Sequence, residues 1–170
     1  MKEPHSRRVD LPFNWPDPPL NVVLVEPQIP PNTGNIARTC AATGSQLHLV
    51  GPLGFDINDR QLKRAGLDYW DSVCMAVHPD INDYLSKHPI TTRTYLLSTA
   101  GRRALQDVNF EAGDTLVFGS ETAGLSDEML EEYPDQVVGL PMMTDHVRSL
   151  NLATTVGIAV YQALFCMNRS

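Results

Sequence analysis

Three stretches of the chain gather residues able to do chemistry, and each follows a short apolar run. The first reads Glu26-Pro27-Gln28-Ile29-Pro30-Pro31-Asn32-Thr33-Gly34-Asn35-Ile36-Ala37-Arg38. Its prolines stiffen the approach, and Asn32 or Thr33 is of the type that caps a helix. Asn35 and Arg38, three apart, then share a helix face. A helix N-terminus with an arginine one turn in suits an anion such as a phosphate. A capped helix carrying a surface arginine satisfies the same spacing equally well.

The second stretch is Phe118-Gly119-Ser120-Glu121-Thr122-Ala123-Gly124-Leu125. Gly119 lets a ligand approach the backbone closely. Ser126, followed by Asp127 and Glu128, reads as a separate capped helix start, so Glu121 stands outside that role. A carboxylate between two glycines is a site candidate; a surface glutamate in a turn is the plainer alternative. The third stretch runs through Pro141-Met142-Met143-Thr144-Asp145-His146-Val147 into Arg148-Ser149-Leu150-Asn151-Leu152. Ser149 reads as the cap of the last helix. Asn151 then falls in its first turn, with a carboxamide that can both donate and accept.

The elements that must position these residues alternate. Val22-Val23-Leu24-Val25, Leu47-His48-Leu49-Val50, Tyr95-Leu96-Leu97, Leu116-Val117-Phe118 and Val137-Val138 are continuous apolar runs, the mark of strands buried on both faces of a parallel sheet. Helical patterns occupy 35–43, 59–66, 81–87, 126–132 and 149–167. The implied class is α/β with a mostly parallel, doubly wound sheet, which takes its ligands in loops at the carboxyl ends of strands.

Size and composition bound the rest. The 170 residues suit one domain, read as 20–170, behind an extended arm at 1–19 that holds five of the thirteen prolines. A net charge of −7 argues against a general nucleic-acid coat protein but leaves room for a local basic patch. Cys40, Cys74 and Cys166 are far apart with no CxxC pair, so neither a disulfide framework nor a structural zinc site is expected. His5, His48, His78, His88 and His146 show no ligand spacing, and no metal is expected. Neither a Walker loop nor a GxGxxG fingerprint occurs. No secretory leader opens the chain, which points to the cytoplasm. From Ser149 to Asn168 there is no charge, but Ser149, Asn151, Thr154, Thr155 and Gln162 interrupt the stretch, so a buried helix is expected rather than a membrane span. Lys63-Arg64 and Arg102-Arg103 could touch a phosphate backbone, and Tyr69-Trp70 could stack a base; solvation and packing explain them as simply.

In their order and separations the three loops, with Arg64-Ala65-Gly66-Leu67-Asp68-Tyr69, make the chain resemble the SPOUT superfamily of methyltransferases. The resemblance runs from about Asn21 to Leu164. Within the superfamily the chain is most similar to the compact tRNA (cytidine/uridine) 2′-O-methyltransferases of the anticodon wobble position, the TrmL type. That resemblance implies a C-terminal trefoil knot, although knots are close to absent among proteins in general. It implies S-adenosylmethionine as cofactor, tRNA as substrate and a homodimer with the active site near the subunit boundary. By position it sets Leu97, Gly119, Leu140 and Ser149 around the cofactor, and makes Asn35, Arg38, Glu121, Ser149 and Asn151 the catalytic or substrate-side group. Two positions depart from the family pattern. Ser120 stands where proline is usual, which would loosen the turn presenting Glu121, and Ala153 stands where serine is usual. Open alternatives are another tRNA or rRNA ribose as target, a non-catalytic RNA-binding relative, and a generic nucleotide-binding enzyme.

Overall fold

The computed structural model describes residues 10–57, 72–143 and 146–169. Within them lie seven strands and four α-helices: β1 Asn21–Val25, α1 Pro30–Thr43, β2 Gln46–Val50, β3 Met75–His78, α2 Ile81–Lys87, β4 Thr94–Leu97, β5 Arg103–Ala104, β6 Thr115–Phe118, α3 Asp127–Glu132, β7 Val137–Gly139 and α4 Leu152–Met167. The strands form one sheet in the order β3-β2-β1-β6-β4-β7-β5. Every pairing is parallel.

The sheet is covered on both faces, as the unbroken apolar runs require. Alternate residues of each strand go to opposite layers: Val22 and Leu24 join Ile36, Ala37 and Cys40 of α1 and Val156, Ala159 and Val160 of α4. Val23, Leu96 and Val117 join Tyr84 of α2 and Met129 of α3 on the other side. Leu24, Ile36, Leu96, Leu116 and Phe118 are fully buried, each such side chain contributing roughly 1.5–3 kcal/mol by leaving water.

Sheet order carries one unusual feature. β7 lies between β4 and β5, pairing with each. β4 and β5 are joined only by the short connection 98–102, so that connection arches over the site where β7 inserts. The approach is close: Ser98 N donates to Val138 O at 3.0 Å, and a Cβ on Gly101 would lie 2.4 Å from the Val138 carbonyl carbon. Only glycine admits this crossing.

Several boundaries differ from expectation. α1 begins at Pro30 rather than Asn35, because proline is favoured in a first helical turn, where its missing N–H costs nothing. It is capped by neither Asn32 nor Thr33: Ile29 is the N-cap residue and contributes no side-chain bond. Asn151, not Ser149, caps α4, its Oδ1 accepting from Ala153 N at 2.9 Å and Thr154 N at 3.3 Å. β3 and β5 are absent from the expected strands: β5 has two residues, and β3, at the sheet edge, buries only His78 of its four. The helix expected at 59–66, the segment from Arg64 to Tyr69, and Trp70 lie outside the described residues.

Residues 10–19 contain no helix or strand, yet they are anchored. Phe13 packs edge-on against Phe165 of α4 at 6.2 Å, and Asn14 exchanges backbone–side-chain hydrogen bonds with Asn168 at 2.9 and 3.0 Å.

Candidate active site

A cavity of about 580 Å³ opens at the carboxyl ends of β4 and β6, bounded by the loops after β4, β6 and β7. Of the residues named from sequence, Leu97, Gly119, Glu121, Leu140, Ser149 and Asn151 line it. Asn35 and Arg38 do not. Both are exposed on α1, beyond the pocket-lining Asn32. With 1.5 Å of rise per residue, Arg38 begins about 9 Å along the helix from Asn32.

The loop after β6 folds back on itself. Ser120 N donates to Gly124 O at 3.2 Å and Gly124 N to Ser120 O at 2.9 Å. Gly124 has φ +71°, in the left-handed region. A Cβ on Gly119 would lie 1.9 Å from the Gly124 carbonyl carbon, so this turn can close only over glycine. Ser120 does not loosen the turn. Its Oγ accepts from Ala123 N at 3.1 Å, and its backbone N–H makes a bond that proline could not.

Closure of that turn delivers Glu121 to the start of α1. Oε2 accepts from Gln28 N at 2.8 Å; Oε1 accepts from Ile29 N at 3.2 Å and from Asn32 Nδ2 at 3.0 Å. The anion at this helix N-terminus is therefore the chain's own carboxylate, held by backbone amides and the helix dipole. Pro30 and Pro31 carry no N–H, which removes two of the donors such a terminus would otherwise leave unpaired. The loop is aimed by Glu26, whose φ of +51° turns the chain out of β1, a conformation rarely adopted by a non-glycine residue. With three donors already on its two oxygens, Glu121 acts first as a clamp.

The clamp continues into the third loop. Asn32 Oδ1 accepts from Asn151 Nδ2 at 2.9 Å, while Asn151 Oδ1 caps α4. One polar chain, Glu121–Asn32–Asn151, ties together the loops after β6, β1 and β7. Asn32, 7% exposed, is its centre. By residue type and position in the sequence, Asn32 is marked only as a possible cap. Its place one turn before Asn35, on the same helix face, was the available signal.

Fold and site together define a doubly wound α/β domain whose ligand cavity is built from strand-end loops. The chain belongs to the SpoU rRNA Methylase family, whose model matches residues 19–161. It is 49% identical over 146 residues to a tRNA (cytidine(34)-2'-O)-methyltransferase of Burkholderia cenocepacia, covering 85% of this chain and 93% of the relative. Among solved structures it is similar to one described as "Structural insights into the 2-OH methylation of C/U34 on tRNA", with 42% identity and a TM-score of 0.84 over 89% of this chain and 97% of that one. It also resembles the SpoU methyltransferase AviRb of Streptomyces viridochromogenes in complex with AdoMet, at 25% identity and a TM-score of 0.76, over 88% of this chain and 61% of that one.

Proposed function

We propose that this chain transfers a methyl group from S-adenosylmethionine to the ribose 2′-hydroxyl of the pyrimidine at the wobble position, 34, of a tRNA anticodon. The observation that carries the reading is the cavity closed by the Glu121–Asn32–Asn151 chain, in a family whose relatives are named for this reaction.

The residues present fit the cofactor. The cavity is within the usual range of about 300–1,000 Å³ for a small-molecule site. Leu97, Leu125, Leu140 and Leu152 give it apolar walls suited to an adenine ring, while Ser98, Thr99 and Thr122 add hydroxyls. When bound, the cofactor supplies a methyl group already activated by its sulfonium. What remains for the protein is to hold the ribose oxygen within about 3 Å of that carbon, in line with the leaving sulfur, and to ease loss of the hydroxyl proton.

Arg38, exposed on α1 about 9 Å along the helix from Asn32, is the cation that binds a phosphate of the substrate and stabilises charge developing on the ribose oxygen once the tRNA reaches from the cavity to α1. Asn35, one turn nearer, orients the ribose. Ser149 meets the cofactor from the loop after β7. Glu121 is a positioning residue rather than the proton acceptor, because its lone pairs already hold α1 in place. A substrate phosphate is then the acceptor.

The insertion of β7 beneath the 98–102 connection supports the trefoil knot: the chain must pass that arch before reaching α4. The outward face of α4 supports a homodimer. Ile158, Tyr161 and Phe165 recur at helical spacing and stay 43%, 40% and 48% exposed, an apolar stripe suited to a second copy. Among the described residues no helix is long and apolar enough to cross a membrane. The cytoplasm, where tRNA is modified, is the proposed location.

Incubating the purified protein with labelled cofactor and total tRNA, then mapping 2′-O-methyl groups by mass spectrometry, tests the proposal. Label confined to nucleotide 34 is the expected result. The family's description as rRNA methylases favours one second reading, a ribose elsewhere in tRNA or rRNA, and label at such a position would replace the wobble assignment.

A further inference from the structure

On the sheet face opposite α1 and α4, three imidazoles distant in sequence converge. They are His48 in the middle of β2, His78 at the end of β3 and His88 at the C-cap of α2. Register explains the first two: Val50 pairs with His78, and His48 shares the pleat face of Val50, so both rings project toward α2. One ligand nitrogen from each of the three residues lies within 4.8 Å of the other two. His48 and His78 are buried, whereas His88 is exposed and opens the cluster to solvent. None of the three lines the methyl-transfer cavity.

The surroundings are those of a metal site's outer shell. His78 Nδ1 lies 3.1 Å from Asp83 Oδ2, to which it can donate. That carboxylate is held in turn by Lys87 Nζ at 2.7 and 2.8 Å, and Asp80 Oδ1 accepts from Asp83 N at 2.8 Å. A carboxylate on one ring nitrogen fixes the tautomer and leaves the other nitrogen's lone pair for a metal. The remaining nitrogen, His78 Nε2, lies 3.1 Å from His48 Nδ1. Two nitrogens bonded to one tetrahedral zinc at its usual bond length are about 3.3 Å apart. His88, its ring stacked on Tyr84 at 5.1 Å, brings a nitrogen within 4.8 Å of both.

We propose that His48, His78 and His88 form a divalent-metal site of the zinc type, with Asp83 orienting His78 and water in the fourth position. Three neutral imidazoles select a borderline-soft ion such as Zn²⁺ over Mg²⁺ or Ca²⁺. The ion fastens β3, a four-residue strand at the edge of the sheet, to β2 and α2.

The test uses the full chain, stripped with a chelator and then dialysed free of it. Co²⁺ serves as the spectroscopic probe and Zn²⁺ as the competitor. Expected are one equivalent of Co²⁺ with the intense visible bands of a tetrahedral site, displacement by Zn²⁺, and a melting temperature that rises with Zn²⁺. His88→Ala, at an exposed position, should fold normally, weaken uptake by at least about tenfold, and remove the Zn²⁺ effect on melting while methyl transfer continues. Absence of stoichiometric uptake by the wild type overturns the proposal and leaves a hydrogen-bonded imidazole cluster. Uptake that His88→Ala and His78→Ala both leave unchanged overturns it as well.

Discussion

Replacing Glu121 with glutamine turns one oxygen of a carboxylate that accepts three hydrogen bonds into a donor. Glutamine's best placement keeps its carbonyl toward Ile29 N and Asn32 Nδ2 and turns its NH₂ against the Gln28 N–H. One charge-assisted bond is lost, two donors face each other, and the surviving bonds become neutral. A hydrogen bond to a charged group is worth about 1.5–3 kcal/mol, and Glu121 is only half buried, so a loss of about 2–3 kcal/mol is expected. That corresponds to roughly thirty- to a hundred-and-fiftyfold in an equilibrium constant. The loss should be shared between global stability, read by urea unfolding, and cofactor affinity, read by calorimetric titration. Because Glu121 acts through Asn32, a double-mutant cycle with Asn32→Ala should be non-additive by about 1 kcal/mol or more. The reasoning is refuted if Glu121→Gln keeps wild-type stability and cofactor affinity yet abolishes turnover. Such a variant would mark Glu121 as the proton acceptor.

Three further outcomes are expected. Asn151→Ala removes both the α4 cap and the bond to Asn32, costing about 1–2 kcal/mol in unfolding experiments. Asn151→Asp keeps the capping oxygen but not the donor, so it should recover stability without recovering cofactor affinity. At the amino ends of the strands, Arg93 pairs bidentately with Asp114, which is 1% exposed, through bonds of 2.7 and 2.6 Å. Arg93→Ala strands that carboxylate and should cost about 3 kcal/mol in urea unfolding, with kcat unchanged at temperatures where the protein stays folded. His48 has its pKa lowered to about 4 by burial, with His88 and His78 adding to the effect. Asp83, Lys87 and Tyr84 complete the groups around the cluster. The folded state therefore resists a proton that the unfolded chain accepts at about pH 6.5, so this stability is whole above that pH and is lost as pH falls toward 4. In metal-free protein, unfolding free energy should fall by up to about 3 kcal/mol across that window, and His48→Gln should flatten the profile.

Much of this protein was legible from residue type and spacing alone. Continuous apolar runs sufficed for β1, β2, β4, β6 and β7, because a strand buried on both faces has no polar side to present. A sheet of that class takes its ligands at strand-end loops, and the loops after β6 and β7 do line the cavity. β3 and β5 were not legible: β5 has only two residues, and β3 is an edge strand that buries only His78, so neither presents a continuous apolar run.

Which atoms meet was decided by tertiary structure. Nothing local distinguishes Glu121 from a turn glutamate; the closure over Gly119 and the strained Glu26 bring its carboxylate to amides 92 and 93 residues away. Asn32 looked like a cap and became the link between two loops, while Asn151 took over the capping expected of Ser149. The histidines show the same division. Sequence separation concealed any ligand spacing, and sheet register together with the end of α2 brought His48, His78 and His88 to one place. Composition and periodicity determine which surfaces must be buried. Contacts between polar atoms far apart along the chain depend on register, turn closure and helix ends, and these exist only once the sheet has assembled.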